Sequence, residues 1–284
     1  MKVLITGAAG MLGTDLQSAL SCHDLVPTDI VEGCLNLDIA NTAQVMRVVG
    51  ETRPDLVLHT AAYTDVDGCE RDPDKAYRIN ALGTWNLAAA CAAMDIAIGY
   101  ISTDFVFDGE KGEPYTEYDS PSPLSHYGAS KLAGELHVRS LCPKHFIFRT
   151  AWLYGVHGKS FPRMILNAAK AGKDLRVVGD QFGSPTFTVD LASKIGQVIE
   201  TPLYGTYHVT NSGTCSWYDF AKKTLSLAGI NNVEVKSIKG EEWPSPTKRP
   251  RLSTLRHYAL ELQGKDDLRP WESALEEFIS ALGA

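Results

Sequence analysis

Over its first 150 residues the chain alternates short, nearly unbroken apolar runs with longer stretches in which apolar residues recur at helical spacing. The runs predict strands at 2–6 (KVLIT), 25–29 (LVPTD), 55–61 (DLVLHTA), 97–103 (AIGYIST) and 145–150 (HFIFRT). The periodic stretches predict helices at 11–21, 41–51, 73–94 and 127–141. Apolar strands separated by helices imply a parallel sheet covered on both faces, a doubly wound α/β (Rossmann) fold. Such folds bind ligands beyond the carboxyl ends of their strands, so each candidate residue is weighed by whether it follows a strand.

Beyond Thr150 the rhythm loosens, and aromatic residues and prolines become more frequent. Helices at 160–171, 188–200, 216–228 and 271–282, with strands at 175–179, 205–210 and 233–238, predict a smaller α/β substrate-binding domain over 152–284. Segments within 186–210 are candidates to return to the dinucleotide-binding domain of 1–151.

The first strand runs into Gly7-Ala-Ala-Gly10-Met11-Leu12-Gly13 and then a helix. A tight turn, a backbone without Cβ beside a pyrophosphate and close packing of helix on strand all favour glycine here. The helix start offers free N–H groups to an anion. The spacing is one residue longer than the commonest dinucleotide fingerprint, but its place between strand and helix is the one that fingerprint requires. Asp29 ends the second strand, where a carboxylate accepts from ribose hydroxyls and repels a 2′-phosphate, which favours NADH over NADPH. Asp38, next to Ile39, either caps the following helix or meets the adenine. Ala61, Ala62 and Tyr63 end the strand after Leu58, and the small residues let a flat cofactor lie against the backbone.

Three more features sit where the same sheet edge is expected. Thr103 and Asp104 close the strand 97–103, and Tyr127 and Lys131 stand four apart on one face of the helix leaving a Pro/Ser-rich loop. Taken alone, this pair is an ordinary solvated helix face. A ketone reduced by hydride becomes an alkoxide that needs a proton, and a phenol with a pKa near ~10 donates one near neutrality only beside a positive charge.

Composition removes other classes. Hydrophobic residues at 44% and charged residues at 21% describe a globular chain. A net charge of −7 argues against a general nucleic-acid binder. Cys22, Cys34, Cys69, Cys91, Cys142 and Cys215 form no C-x-x-C pair and read as apolar residues of a reducing compartment. No run approaches the ~20 apolar residues of a membrane span, and glycines interrupt the N-terminal apolar run. The expected location is therefore the cytoplasm, with no membrane partner.

The glycine turn, Thr103 and Tyr127-x-x-x-Lys131 together resemble the extended short-chain dehydrogenase/reductase family, whose members act mainly on nucleotide sugars. The stretches "STDFVFDG", "SPLSHYGASKLAGE", "FRTAWLYG" and "VVGDQFGSPT" resemble its 4-keto-sugar reductases over nearly the whole chain. The resemblance implies that Tyr127 donates the proton, Lys131 lowers its pKa and holds the nicotinamide ribose, and Thr103 assists. It places Thr103, Asp104, Tyr127, Trp152 and Arg249 against the substrate, although Trp152 also reads as core and "KRPR" (248–251) as a solvated face. Related dehydratases carry glutamate where Phe105 stands, so elimination lacks its base and net reduction is expected. Some members bind magnesium through glutamates at a dimer interface. Here the matching positions are Asp15 and Asp190, which weakens the case for the metal and leaves the homodimer open. The alternatives are a reductase or epimerase of another nucleotide sugar, or a non-catalytic regulatory subunit resembling the methionine adenosyltransferase β subunit.

Overall fold

The structure is a computed structural model that describes residues 1–283. The N-terminal half runs β1 (Lys2–Thr6), α1 (Met11–Ala19), β2 (Asp24–Asp29), β3 (Leu35–Asn36), α2 (Thr42–Thr52), β4 (Leu56–His59), α3 (Val66–Arg71), α4 (Pro73–Ala76), α5 (Thr84–Ala93), β5 (Ala97–Thr103), α6 (His126–Leu141) and β6 (His145–Thr150). There follow β7 (Leu153–Tyr154), α7 (Phe161–Lys170), β8 (Leu175–Val178), β9 (Phe182–Gly183), β10 (Thr186–Phe187), α8 (Thr188–Ile199), β11 (Gly205–His208), β12 (Cys215–Ser216), α9 (Trp217–Leu227), β13 (Val235–Ile238), α10 (Tyr258–Leu262) and α11 (Trp271–Ala281).

Seven strands form one sheet in the order β11-β6-β5-β4-β1-β2-β3, and every neighbouring pair is parallel. The order reverses at β1, so the crevice for a ligand opens beyond the carboxyl ends of β1 and β4. Strand residues of both parities are buried, as a sheet covered twice requires. Val3, Ile5, Leu58, Ile101 and Phe148 pack with Leu12 and Leu16 of α1 and with Leu191 and Ile195 of α8. Leu4, Val57, Ile98 and Ile147 pack with Val45 and Val49 of α2, Leu87 of α5 and Val138 of α6. A third core joins Tyr154, Ile165, Phe187, Phe220, Leu275 and Phe278 from α7, α9, α11 and the short strands. Thus α8 and β11 serve the large sheet: Gly205–His208 pairs with Phe146–Arg149.

The strand expected over 55–61 stops at His59, and residues 60–63 turn away to floor the crevice. The helix expected over 73–94 contains a π-helical segment, Tyr77–Gly83, between α4 and α5. Such widened turns re-aim side chains, and this one delivers Asn80 to the site. No helix among the described residues is long and apolar enough to cross a membrane.

Candidate active site

The glycine turn forms a tight cradle. Gly7 has φ +68°, and a Cβ there would lie 2.7 Å from Ala61 N. A Cβ on Gly13 would overlap the Gly7 carbonyl oxygen. Gly10 caps α1 without a side-chain bond, so the first-turn N–H groups of Met11, Leu12 and Gly13 are left for an anion. Below them Leu12 enters the core, while Met11 lies under Gly155. Asp29 accepts from Ala9 N–H at 3.1 Å and from Ile30 N–H at 2.7 Å, which pins the end of β2 to the glycine turn. Residues 30–36 after it contain neither lysine nor arginine.

Asp38 does not cap α2: Asn41 does, accepting Gln44 N–H at 3.0 Å, because the chain turns once more before the helix starts. Asp38 instead accepts from Ala40 N–H at 2.9 Å and stays exposed at the crevice rim. Ile39 turns its side chain into the core, and its carbonyl is held by Asn86, so it supports the crevice from below. Asn80, absent from the sequence reading because it sits mid-helix, clamps the Tyr63 backbone. Its Oδ1 accepts Tyr63 N–H at 2.8 Å, and its Nδ2 donates to the Tyr63 carbonyl at 3.0 Å and to Ser130 Oγ at 3.1 Å.

Four successive residues of β5 meet α6. Tyr100 Oη donates to the Lys131 carbonyl at 3.2 Å, the Ile101 carbonyl accepts from Lys131 Nζ at 2.6 Å, and Ser102 Oγ donates to Glu135 at 2.6 Å. Thr103 ends the strand, next to the helix start that carries Tyr127. Ser125 caps the helix by accepting Gly128 N–H at 3.1 Å, which puts Tyr127 in the first turn. A Cβ on Gly128 would overlap the Phe105 carbonyl oxygen, so glycine is what lets this helix start approach the end of β5. Phe105 packs edge-on to Tyr127 at 5.5 Å.

Burial pushes the Tyr127 phenol well above its ordinary value. Burial also lowers Lys131 to about 7, against the opposing pull of Glu135. The expectation that Lys131 acts directly on the phenol needs correcting for this state. Its ammonium is committed to the Ile101 carbonyl and lies 4.2 Å from the Tyr100 ring centre, because a cation in this apolar layer takes the nearest oxygen and π face. Glu135, like Asn80, is a residue that sequence reading missed. It is fully buried, takes Arg149 Nε at 2.8 Å and Nη2 at 2.7 Å, and also accepts from Arg139.

His59 lies under the same floor between Thr6 Oγ1 at 2.8 Å and Thr84 Oγ1 at 3.0 Å. Burial, then the nearby Lys131, lowers it from 6.5 to about 3. Buried His208 is lowered in the same direction. A lowered histidine stays neutral in the fold while the unfolded chain takes up a proton, so each costs stability as pH falls below 6.5. The slope is about 1.4 kcal/mol per pH unit for each histidine. Asp104, raised to about 6, binds its proton more tightly when folded and offsets part of this loss. Urea unfolding at pH 7 and pH 5 is expected to show a net loss of about 2 kcal/mol, and His59→Gln should reduce the difference.

Asp104 is not open to the crevice as expected. It is 1% exposed, with Oδ1 accepting from Thr103 Oγ1 at 3.0 Å and Oδ2 from Ser253 Oγ at 2.5 Å. A buried carboxylate requires such donors, and Ser253 reaches it from 149 residues away. Thr150 lies beside Thr103 in register, and its buried hydroxyl has no hydrogen-bond partner among the described residues. Trp152, at φ +48°, stacks on Trp217 with ring centres 3.5 Å apart, and a Cβ on Gly183 would lie 2.5 Å from its indole. Arg249 donates to Asp67 at 2.9 Å and to Ser245 at 2.5 Å, tying the segment before Ser253 to α3. No group of three or more metal-ligating side chains gathers around Asp15 or Asp190 among the described residues. Asp190 is taken by Asn211 Nδ2 at 2.7 Å and Arg269 Nε at 2.9 Å.

A switch-point crevice with a glycine cradle, an acid at the end of β2, and threonine, tyrosine and lysine converging beside it defines a nicotinamide-dinucleotide oxidoreductase of the extended short-chain dehydrogenase/reductase class. Residues 1–283 match the family model described as the RmlD substrate binding domain, and the chain belongs to that family, the dTDP-4-dehydrorhamnose reductases. It is 39% identical to the spore coat polysaccharide biosynthesis protein SpsK of Bacillus subtilis, over 98% of this chain and 96% of that one. Among solved structures, a dTDP-4-dehydrorhamnose reductase from Clostridium acetobutylicum superposes with a TM-score of 0.96 at 47% identity, covering 100% of both chains. The reductase from Bacillus anthracis in complex with NADP gives 0.94 at 44% identity, covering 99% of each.

Proposed function

We propose that this chain uses NADH or NADPH to reduce the C4 ketone of dTDP-4-dehydro-L-rhamnose, giving dTDP-L-rhamnose. The observation that carries this reading is the packing of the start of α6, which carries Tyr127, against the end of β5, which carries Thr103, with Lys131 one helical turn further along and the glycine cradle alongside. The cradle fits a dinucleotide because added Cβ atoms would fill it at Gly7 and Gly13.

The first-turn N–H groups of Met11, Leu12 and Gly13 hold the pyrophosphate, Asp29 accepts from the adenosine ribose, and Asp38 meets the adenine. Ala61, Ala62 and the clamped Tyr63 backbone form the floor. The bound reduced nicotinamide supplies the hydride. Tyr127 gives its proton to the oxygen forming at C4, while Lys131 holds the nicotinamide ribose and carries positive charge below the phenol. Burial keeps Tyr127 protonated, the state a donor needs. Trp152, backed by Trp217, offers a flat wall to the sugar, and Arg249 offers charge to the diphosphate. Phe105 packs on Tyr127 where elimination would need a carboxylate.

The test is cofactor oxidation over a panel of nucleotide 4-keto sugars, with product stereochemistry determined. Turnover is expected with dTDP-4-dehydro-L-rhamnose, and NADH should be favoured by about 1 kcal/mol, roughly fivefold in kcat/KM, from repulsion between Asp29 and a 2′-phosphate. Turnover of none of these sugars, together with stable co-purification with a synthetase, would favour the regulatory-subunit reading.

A further inference from the structure

We infer that Asp67 is a positioning residue for the substrate: its carboxylate fastens residues 244–250 to α3 and so holds the Arg249 guanidinium ready for the diphosphate of the nucleotide sugar. The inference rests on the reading above that Arg249 meets this diphosphate, and it names the group that keeps Arg249 in place.

Residues 243–251 form neither helix nor strand, so this segment depends on side chains to hold it. Among the described residues, every hydrogen bond that leaves 244–250 ends on Val66 or Asp67. Asp67 Oδ1 accepts from Ser245 Oγ at 2.8 Å, Thr247 Oγ1 at 2.7 Å and Arg249 Nη2 at 2.9 Å. One oxygen thus collects three alternate residues of the segment. Thr247 is 7% exposed, and a hydroxyl so far from water requires an acceptor. Burial raises the Asp67 carboxyl, but the hydroxyls of Thr247 and Ser245 and the Arg249 guanidinium outweigh it and hold the group below its ordinary value. Asp67 is therefore a charged acceptor at neutral pH.

A guanidinium carries five N–H groups in a rigid fork. Arg249 gives one to Asp67 and one, through Nη1, to Ser245 Oγ at 2.5 Å, which fixes the plane of the fork and leaves three for an anion. Its side chain is 24% exposed, so an anion can reach it. Asp67 offsets part of the charge, while Lys248 and Arg251, both exposed, keep the segment positive. The fastening also shares an element with the proton donor. Val66 and Cys69, on either side of Asp67 in α3, pack with Tyr127, and Glu70 accepts His126 N–H at 2.6 Å, one residue before Tyr127. The anchor for the diphosphate and the support of the phenol are therefore set by one helix. Binding energy gained at the diphosphate is in this way turned into orientation of the distant C4 ketone.

The experiment measures kcat and KM for dTDP-4-dehydro-L-rhamnose, and calorimetric binding of dTDP and of thymidine to the NADH-loaded enzyme. It compares the parent, Asp67→Ala, Asp67→Asn, Arg249→Gln and the double variant Asp67→Ala with Arg249→Gln. Asp67→Ala should raise KM and weaken dTDP about tenfold, the share of affinity supplied by ordering a long side chain and its loop before binding. Its kcat should stay within about threefold and its thymidine affinity within about twofold, since only binding of the diphosphate is touched. Asparagine keeps an oxygen for the three donors, so Asp67→Asn should recover most of the loss. In the Arg249→Gln background the alanine change should add less than about twofold, because Asp67 acts through Arg249. Should Asp67→Ala fold poorly in urea tests, Thr247→Val, which removes one of the three donors, should show the same split between dTDP and thymidine at smaller amplitude. Tighter dTDP binding in Asp67→Ala would show the carboxylate competing with the diphosphate, and equal losses for dTDP and thymidine would show a brace with no part in aiming Arg249. Either result overturns the inference. Unchanged dTDP affinity in Arg249→Gln would overturn the reading of Arg249 and this inference with it. A parent that binds dTDP through Arg249 yet reduces no nucleotide 4-keto sugar would overturn the reductase reading alone.

Discussion

Tyr127→Phe is expected to lower kcat by about 10²- to 10⁴-fold, the range removed with a positioned general acid, while the affinity for NADH changes little. Only the phenolic oxygen is lost. The ring keeps its place against Phe105 and Cys69, so the start of α6 and the cradle opposite should be undisturbed. Loss in kcat rather than KM is the mark of an interaction made in the transition state. Burial holds the phenol protonated over the whole working pH range, so the proton is available wherever the enzyme is folded. What varies with pH is Lys131, lowered to about 7 by burial, whose charge assists the departure of that proton. The parent is therefore expected to lose kcat as pH rises above about 7. Steady-state kinetics of parent and variant, with cofactor binding measured by fluorescence, check both statements. A variant retaining more than a tenth of parental kcat would exclude Tyr127 as the proton donor.

The parts of this site that the sequence displays are those imposed by local geometry. Gly7 and Gly13 are legible because the backbone must pass where a side chain would collide, and that need shows as a glycine between strand and helix. Tyr127 and Lys131 are legible because helical periodicity sets them on one face. The apolar runs of β1, β4, β5 and β6 announce a sheet buried on both sides. Pairings that join distant segments leave no such trace. Ser253 meets Asp104, Arg249 meets Asp67, and Asn80 clamps Tyr63 only after α3, the π-helical turn and the C-terminal segment have packed together. A polar residue inside a helical pattern reads as solvated, so nothing in the pattern singles out Asn80 and Glu135, although both are buried. For β11 the sequence offered only a candidacy, 186–210 as segments able to return to the first domain, because a short apolar strand does not declare which sheet it will join.

Glu135→Ala is expected to destabilise the fold by about 3–5 kcal/mol, since it leaves the Arg149 guanidinium buried without its partner. Arg149 is 1% exposed and donates through Nε and Nη2 to the two oxygens of Glu135, and the nearby His208 is held neutral and supplies no compensating charge. Against the usual ~5–15 kcal/mol of a folded domain this is a large fraction. The same pair replaced on both sides by methionine, Glu135→Met with Arg149→Met, should recover most of the loss, because the cost lies in the orphaned charge rather than in the missing attraction. Urea unfolding of parent, single and double variants makes the comparison. Equal destabilisation by the single and double changes would mean that shape, and not charge, is what the pair supplies. The double variant also bears on catalysis. Glu135 opposes the lowering of Lys131, and its Oε1 takes the hydroxyl of Ser102, the residue before Thr103 on β5. A folded double variant should therefore lose charge on Lys131 at a lower pH than the parent does, and its kcat should fall earlier along the pH axis. A stable double variant with the parent's pH profile would separate the ion pair from the chemistry and leave it a purely structural brace between α6 and β6.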